Sequence, residues 1–332
     1  MLAIVSTGRT LLAFGSVPKG SARAPAAWTT TDLGHWSRVR THPVTGYGGV
    51  AQFIMGADAG SRVVAYGQAF GGAHSNPRPT TWAGDVQHLG EYEQPYTLFG
   101  GEDAIGVDAM TSHAATVLIS GAWDGPEGYG AAVWLTRDGI HWTRIADAPG
   151  LASARGEQTF ASGATSAPDG FHLVGSTTRT DGRGPATTPL AWHSADGSAW
   201  TRTSLSTTTD AAARAAECTG AGCTIVGGTL GASQQLRCWR TDAAGAETAA
   251  SAGPGHGLLD VQQVVRTGGG ELVVGAVDHV AALWTVGPDC TGWAAVPSPA
   301  STEDATAGVL GSVILLATTT ADASRLWTRP AD

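Results

Sequence analysis

The chain has little charge and almost no lysine. Of its 332 residues 14% are charged, Lys19 is the single lysine, and the formal net charge is −9. No run of basic residues offsets this acidic balance. Nucleic acids and anionic membrane surfaces are bound through clustered lysine and arginine, so we expect neither as a partner.

Long apolar segments are also missing. No stretch approaches the roughly 18 consecutive apolar residues that a membrane-spanning helix needs, so we expect no membrane insertion. Residues 1–17 lack the basic segment and the small-residue cleavage site of a signal peptide. We predict that they form two strands instead.

The sequence contains none of the compact motifs that identify common enzyme sites. Its ten histidines are scattered, without a zinc-binding His-Glu-x-x-His motif. No Gly-x-Ser-x-Gly nucleophile elbow follows a strand, and no phosphate-binding loop is present. We therefore predict no cofactor and no metal.

Cysteine is scarce, but the positions of the four cysteines are informative. Cys218 and Cys223 flank a Thr-Gly-Ala-Gly turn, which brings their sulfur atoms together across a predicted hairpin. A disulfide is favoured over free buried thiols or a zinc site, since no histidine lies at ligand spacing beside the pair. Cys238 and Cys290 could also pair, although sequence alone does not fix connectivity. Disulfides would place the protein outside the cytoplasm.

Tryptophan, by contrast, recurs at a regular spacing. Seven of the twelve tryptophans lie on short apolar segments 43 to 58 residues apart: Trp28, Trp82, Trp134, Trp192, Trp239, Trp284 and Trp327. Four of these are followed eight or nine residues later by a second one: Trp36, Trp142, Trp200 and Trp293. A period in this range is typical of β-propellers, in which four short strands form each blade. Trp123 alone fits no repeat position.

The period predicts an all-β fold, a single seven-bladed β-propeller of four-stranded antiparallel blades, with six blades as the alternative. The predicted blades cover approximately residues 1–40, 48–93, 105–147, 157–204, 214–248, 258–297 and 304–332. The last of them has sequence for three strands only. We expect either a longer precursor that supplies an N-terminal outer strand and a secretion signal, or a blade that is three-stranded.

One turn sequence, between the third and fourth strands, repeats in three blades. It reads Thr-Arg-Asp-Gly-Ile-His-Trp at residues 136–142, with related sequences at 194–200 and 30–36. These turns resemble the Asp-box (BNR) repeat of sialidase-like propellers, Ser-x-Asp-x-Gly-x-x-Trp. The resemblance implies that Asp32, Asp138 and Asp196 are scaffold residues, because Asp-boxes lie on the periphery, opposite the catalytic centre. The arginine-for-lysine bias is typical of a GC-rich genome and favours an actinobacterial source.

The resemblance does not extend to sialidase chemistry. The N-terminal Arg-Ile-Pro signature of sialidases is missing, and no tyrosine follows Tyr129, although the sialidase nucleophile is a tyrosine from a late blade. We therefore expect no true sialidase activity. Asp-boxes also occur in proteins without hydrolase activity, and a fold does not determine a function.

The candidate ligand site lies on the loops of blades 2 to 4. Long loops are predicted between the second and third strands at residues 68–80, 122–130 and 176–189, on the face where propellers usually bind ligands. All five tyrosines lie between Tyr47 and Tyr129, and aromatic side chains are typical of recognition surfaces. The predicted ligand-binding residues are His74, Asn76, Arg78, Tyr96, Trp123, Asp124, Tyr129, Arg179 and Arg183. The alternative is that these loops only pack on one another.

A second group of charged residues is predicted at the mouth of the central channel. It comprises Glu102, Asp103, Asp108, Arg155, Glu157, Arg214, Glu217 and Asp260. The catalytic candidates among them are Glu102, Asp103, Arg155, Glu157, Arg214 and Glu217, since paired carboxylates can act as acid and base and arginines can hold a substrate carboxylate. The alternative, which we favour, is a solvated rim whose charges pair between blades.

Three functions are compatible with these features. The first is a secreted or cell-surface propeller that binds a glycan or a protein partner through the loops of blades 2 to 4. The second is a carbohydrate-active enzyme, a glycoside hydrolase or a polysaccharide lyase, that uses the channel-mouth carboxylates and arginines. The third is a structural subunit of a larger assembly. If Trp123 belongs to the binding surface, Trp123→Ala should abolish binding and leave the melting temperature nearly unchanged.

Overall fold

Short strands form almost all of the regular structure. The computed structural model describes residues 2–7, 9–70, 77–181, 184–255, 257–299, 304–320 and 323–331. Within these ranges the chain is all-β, apart from a single-turn 3-10 helix at Gly48–Val50 and a single-turn α-helix, α1, at Tyr96–Phe99. The all-β prediction is therefore confirmed.

The N-terminal sheet has eight strands in the order β1-β2-β3-β4-β8-β7-β6-β5. Its two halves are each antiparallel, and they meet where β4 pairs in parallel with β8, at Arg40 and His88. The strands are β1 (Ala3–Ser6), β2 (Leu11–Lys19), β3 (Ala22–Thr30), β4 (Ser37–His42), β5 (Gln52–Asp58), β6 (Val63–Ala69), β7 (Arg78–Gly84) and β8 (His88–Tyr92).

Four sheets of four antiparallel strands follow, and then a sheet that has three strands within the described residues. The first two comprise β9 (Ala104–His113), β10 (Thr116–Gly125), β11 (Gly128–Thr136) and β12 (Thr143–Ile145), then β13 (Glu157–Ala167), β14 (Gly170–Asp181), β15 (Gly184–Ser194) and β16 (Thr201–Ser204). The next two comprise β17 (Ala211–Thr219), β18 (Gly222–Thr229), β19 (Leu236–Thr241) and β20 (Glu247–Ala252), then β21 (Leu259–Thr267), β22 (Gly270–Val277), β23 (Val280–Val286) and β24 (Ala294–Val296). The last comprises β25 (Asp304–Leu310), β26 (Val313–Thr319) and β27 (Ser324–Pro330).

Three of the periodic tryptophans, Trp134, Trp192 and Trp239, are buried where each ties its sheet to the segment that leads into it. The indole Nε1 of Trp134 donates to the Leu98 carbonyl at 2.6 Å, and Trp192 and Trp239 make the same bond at 2.7 Å, to Gly150 and Ser206. A buried indole needs such an acceptor. The tryptophan spacing in the sequence therefore marks one structural contact that recurs from sheet to sheet.

The first and last sheets are in contact. The Val309 amide donates to the Ser6 hydroxyl at 3.1 Å, and Ile4 and Leu11 share an apolar cluster with Leu315 and Ala317. Other apolar clusters lie between successive sheets along the chain. The core is thus a series of sheet-to-sheet interfaces that returns to its start.

Both predicted disulfides are present. Cys218 and Cys223 face each other across the β17–β18 hairpin, and Cys238 on β19 is bonded to Cys290, which follows β23 in the next sheet. Two disulfides are typical of proteins outside the cytoplasm. None of the helices in the described ranges is long and apolar enough to cross a membrane.

Two of the predicted long loops are in fact strands. β10 and β11 stay paired to Gly125 and Gly128, and β14 and β15 stay paired to Asp181 and Gly184. The second hairpin is rich in threonine, a residue that favours extended backbone, and the Thr178 and Thr187 hydroxyls bond across it at 3.0 Å. The prediction of loops at 122–130 and 176–189 was therefore wrong.

Three aspartates stabilise the turns that contain them. Asp138 accepts hydrogen bonds from the Ile140 and His141 amides, both at 2.8 Å, and Asp32 and Asp196 make equivalent turn contacts. The hydrogen bond from His35 lowers the pKa of Asp32 to about 2. These carboxylates bond within their own turns, so their role here is structural.

Candidate functional site

Exposed tyrosines surround an arginine in a cleft of about 340 Å³, hereafter the aromatic cleft. The Arg78 guanidinium lies 5.1 Å from the centre of the Tyr96 ring and 5.8 Å from that of Tyr47, within the range of cation–π attraction. Tyr47 and Tyr96 are 48% and 51% exposed, so much of each ring faces solvent. The remaining lining residues are Thr45, Pro79, Thr80, Glu91, Tyr92, Glu93, Gln94 and Pro95.

The backbone connections of the N-terminal sheets build this cleft. Arg78 begins β7, directly after the connection from β6, while Tyr47 and Tyr96 lie on the connections from β4 to β5 and from β8 to β9. A connection from the second strand to the third lies at the same end of the sheet as a connection that leaves the fourth strand, because neighbouring strands within each half are antiparallel. The three side chains therefore meet at one end of the strands.

A buried carboxylate holds the Tyr47 loop in place. Glu91 accepts hydrogen bonds from the Val44 amide at 2.6 Å, from the Thr45 amide at 2.8 Å and from the Thr45 hydroxyl at 2.6 Å. Gly48 packs so closely on this carboxylate that any Cβ there would overlap it. Charge-assisted bonds of this kind are strong. The loop is thus preorganised in the absence of any ligand.

A glutamine fixes the segment before Tyr96. The Gln94 amide donates to the Thr81 hydroxyl at 3.0 Å and to the Ile140 carbonyl, in the next sheet, at 2.8 Å. Both tyrosines are therefore held by polar contacts behind them rather than by contacts within the cleft.

The Arg78 side chain has a hydrogen-bond donor without an acceptor among the described residues. This donor is its Nε, which is buried. Leaving a buried donor unpaired costs about 1–3 kcal/mol, and because Nε itself has no exposed surface, a ligand oxygen can reach it only when the Arg78 side chain shifts. Arg78 is therefore a candidate to bind an oxygen atom of a ligand.

The structure joins some of the predicted binding residues and separates others. It brings Arg78 and Tyr96 together and adds Tyr47, Tyr92 and Glu91, which the prediction omitted. The clustering of tyrosines in the first part of the sequence was the available signal for Tyr47 and Tyr92. The predicted residues His74, Asn76 and Arg183 lie outside the described residues.

Trp123 is a core residue, so its predicted place on an exposed loop was wrong. It lies on β10 with 7% of its surface exposed, and its ring meets Trp134 edge-on at 6.2 Å. The Arg144 guanidinium lies 3.5 Å from the centre of its ring.

The other described members of the predicted patch lie apart from the aromatic cleft. Asp124 is half-buried on β10 and donates its amide to the Asp103 carbonyl at 2.8 Å. Tyr129 is 37% exposed on β11 and meets Phe160 edge-on. Arg179 lies on β14, where it forms an ion pair with Glu157 at 3.2 Å.

A second cavity of about 340 Å³ lies along the first strands of several sheets: β1, β5, β9, β21 and β25. Among the described residues none that lines it is acidic; the lining comprises Leu2, Ala3, Ile4, Val5, Met55, Gly56, Met110, Gln262, Gln263, Ala305 and Thr306. Paired carboxylates do not face each other across this space. Acid–base chemistry of the predicted kind therefore has no group to use there.

The channel-mouth residues separate into local groups. Burial raises the pKa of Asp108 on β9, and the charge of Arg214 on β17 opposes that shift. Arg214 also donates to the Ser162 hydroxyl at 3.4 Å. Asp260 accepts from Gln262 at 2.9 Å. Glu102, Asp103 and Arg155 are exposed. Among the described residues, these contacts do not unite the predicted set into one site.

The prediction placed Glu157 at a solvated rim, but Glu157 is buried, with only 2% of its side chain exposed. Arg179 and Arg202 contact its carboxylate at 3.2 and 3.3 Å, and the Thr177 hydroxyl donates to it at 2.8 Å. A buried charge requires opposite charges and hydrogen-bond donors around it, as these three side chains provide. The Glu157 carboxylate is therefore paired within its own sheet and does not face a channel.

Burial raises the pKa of Glu217 to about 7, and the nearby Glu271 carboxylate adds to the effect. Glu271 is itself buried, and it is contacted by Arg266 at 3.5 Å and by Arg240 at 3.7 Å. This charged cluster lies between two successive sheets. A carboxyl group with a pKa near 7 can donate or accept a proton at neutral pH.

No protein-family model matches the chain, and no curated protein sequence matches it. Solved structures do match its fold. It is similar to the polysaccharide lyase Uly1, with 9% identity and a TM-score of 0.63 over 99% of this chain and 90% of that one. It is similar to a prolyl endopeptidase, with 14% identity and a TM-score of 0.56 over 99% of this chain and 46% of that one.

The chain is also similar to the β-propeller domain of the Trilobed protease from Pyrococcus furiosus. The identity is 9% and the TM-score 0.49, over 98% of this chain and 91% of that one. The chain spans less than half of the prolyl endopeptidase. At these identities the likeness concerns the fold: an all-β chain of antiparallel sheets with β-propellers among its structural neighbours.

Proposed function

We propose that the protein is a single seven-bladed β-propeller that binds a glycan through the aromatic cleft. For the blade count, the support is that each half of the eight-stranded sheet has the antiparallel order of the four-stranded sheets. An apolar cluster also lies between these two halves, as it does between the other successive sheets. The turns at Asp32, Asp138 and Asp196 are then Asp-boxes of the sialidase-like class.

One observation carries the binding proposal: two half-exposed tyrosine rings flank the Arg78 guanidinium in one cleft. Exposed aromatic rings pack against the C–H faces of sugars, and Arg78 and Glu93 can bond to sugar hydroxyls. Pockets of this kind combine apolar walls with a few convergent polar groups. The rigid support from Glu91 and Gln94 lowers the entropy cost of binding.

We further propose that this binding takes place outside the cell or at its surface. The support is the pair of disulfides, which persist in oxidising compartments. Cell-surface and secreted glycans occur in the same compartments.

The proposal is tested on an array of plant, bacterial and animal glycans, followed by isothermal titration calorimetry with the strongest hit. We expect Tyr96→Ala and Tyr47→Ala each to weaken binding about tenfold or more, as loss of an aromatic anchor does. Tyr129→Ala is the matched control, because it removes an exposed tyrosine outside the aromatic cleft. Binding lost in Tyr129→Ala and kept in Tyr96→Ala would move the site to the β10–β11 hairpin. An array without any hit would favour a protein partner instead.

A carbohydrate-active enzyme is the second candidate function. The observation that favours it is Glu217, whose pKa burial raises to about 7, as general acids in glycoside hydrolases require. The test is release of reducing or unsaturated sugar ends from any glycan that binds. Turnover that is lost in Glu217→Gln would support the enzyme, while binding without turnover would exclude it.

A further inference from the structure

Two histidines and an aspartate form a cluster that the sequence did not reveal. His172 on β14 and His193 on β15 are direct cross-strand partners, so their side chains lie on the same face of the sheet. Their rings are 4.9 Å apart. Asp169, in the turn before β14, places one carboxylate oxygen 3.1 Å from His172 Nε2 and the other 3.3 Å from His193 Nε2.

Both separations are close to the spacing of ligand atoms around zinc, but each involves a different carboxylate oxygen, and His193 Nε2 also lies 3.2 Å from the Asp169 carbonyl oxygen, so the carboxylate must turn slightly when the ion binds. Tetrahedral Zn²⁺ with bonds of about 2.0–2.1 Å places neighbouring ligand atoms about 3.3 Å apart. All three groups can offer one ligand atom within 4.8 Å of the others. We propose that His172, His193 and Asp169 bind a zinc ion, with the fourth position open to solvent.

The surroundings support a site with an open position. The three residues line a cleft of about 80 Å³ between two sheets, and Thr201, Thr241 and Asp242 line it as well. A water molecule or a small oxygen ligand fits this space. Sites with three protein ligands and an exchangeable fourth are the usual form of non-structural zinc centres.

The neighbouring disulfide holds one of the ligands in place. His172 Nδ1 lies 3.6 Å from the sulfur of Cys223, so its Nε2 points towards Asp169. The fold thereby brings a histidine beside the cysteine pair, which the sequence spacing had not indicated. Because Cys218 and Cys223 are joined to each other, their sulfurs are not available as zinc ligands.

Other histidine–aspartate pairs on this protein provide a comparison. His141 and Asp138 are 2.6 Å apart, and His35 and Asp32 are 2.7 Å apart. Each pair contains one histidine, and that histidine is 86% or 93% exposed. His172 is only 15% exposed and has a second imidazole beside it. A third pair, His88 and Asp85, is 3.7 Å apart, and the His42 ring is stacked 6.2 Å from that of His88. Among the described residues, Asp169 differs from the aspartates of these pairs because its carboxylate contacts two imidazoles.

The test is calorimetric titration of chelator-treated, tag-free protein with zinc chloride. We expect one tight equivalent of zinc and an increase in melting temperature. His193→Ala and Asp169→Asn should each weaken binding about 100-fold, as loss of interactions at a metal centre does. The control, His141→Ala, should leave it unchanged. His193 is half-exposed, so its variant should fold even where His172→Ala does not.

Cobalt substitution identifies the ligands directly. Co²⁺ bound at the proposed site should give the visible absorption of a tetrahedral centre, and His193→Ala should abolish it. Absence of a tight zinc equivalent, or zinc binding that His193→Ala and Asp169→Asn leave intact, would overturn the proposal. In that case the aspartate only bonds the two imidazoles.

Discussion

Arg144 ties its sheet to the segment that leads into it and packs on a tryptophan of the same sheet. Its guanidinium covers Trp123 at 3.5 Å, and it donates to the Thr97 carbonyl at 2.6 Å and to the Leu98 carbonyl at 3.0 Å. Burial lowers its pKa, and the charge of Asp103 opposes that shift. The stacked arginine explains why a tryptophan is tolerated at this position of β10.

Trp123→Ala should therefore destabilise the fold. Removing a large buried aromatic costs about 3–5 kcal/mol, which a thermal or urea unfolding curve would detect readily. Tyr129→Ala, on the same hairpin, should cost less, about 1 kcal/mol, because the 37% exposed Tyr129 ring loses only its edge contact with Phe160. An unchanged melting temperature in Trp123→Ala would place this side chain on the surface after all.

Glu217 should make stability depend on pH. Its pKa rises from 4.5 in the unfolded chain to about 7 in the folded protein, so the folded state binds the proton more tightly. The free energy of unfolding therefore falls as the pH rises from 4.5 to 7. Glu217→Gln should remove this loss and be more stable than the parent by about 2 kcal/mol at pH 8, allowing for partial exposure of the group. Near pH 4 the two proteins should unfold alike, and a constant difference at both pH values would contradict the assignment.

At the scale of a single element, the Tyr47 loop depends on one contact behind it. Gly48 has no room for a Cβ because the Glu91 carboxylate lies against it, whereas Gly49 has open space. Gly48→Ala should displace the loop at a cost of about 1–3 kcal/mol and weaken ligand binding. Hydrogen exchange over residues 44–50 should speed up in this variant and stay unchanged in Gly49→Ala. Equal behaviour of the two variants would mean that Glu91 does not organise the loop.

The elements also show what the sequence could predict. The tryptophan period located the sheets, because each periodic tryptophan lies on the third strand of its sheet or half-sheet, and in three sheets its indole bonds to the segment entering the sheet. The hairpins of β10–β11 and β14–β15 were missed, since glycine, proline and threonine resemble loop composition there. Tyr47 was missed because its position depends on Glu91, more than forty residues away in sequence. The His172–His193 pair was missed for the same reason, since only strand register brings it together.

At the scale of the whole molecule, the two disulfides should contribute unequally. Cys218 and Cys223 are five residues apart, while Cys238 and Cys290 are 52 apart and belong to successive sheets. The chain-entropy model assigns about 2 kcal/mol to the short loop and about 4 kcal/mol to the long one. The Cys238→Ala, Cys290→Ala double variant should therefore lose about twice the free energy of unfolding that the other double variant loses. Equal losses in denaturant titrations would show that the long bridge does not act by restraining the unfolded chain.

The two proposed sites are independent because they lie at opposite ends of their sheets. The aromatic cleft lies where the second strand of a sheet connects to the third, whereas Asp169 lies in the turn from a first strand to a second. Zinc removal should consequently leave ligand affinity at the aromatic cleft unchanged. Affinity that falls on chelation would indicate coupling between the two ends.

The aromatic cleft is the proposed ligand-binding site of the whole molecule. The most direct measurement is a crystal structure of the protein with its strongest glycan ligand. We predict a sugar ring packed on Tyr47 or Tyr96 and a sugar oxygen within hydrogen-bond distance of the Arg78 guanidinium. A glycan bound instead in the second cavity, along the first strands of the sheets, or on the β10–β11 hairpin, with the aromatic cleft empty, would contradict this proposal.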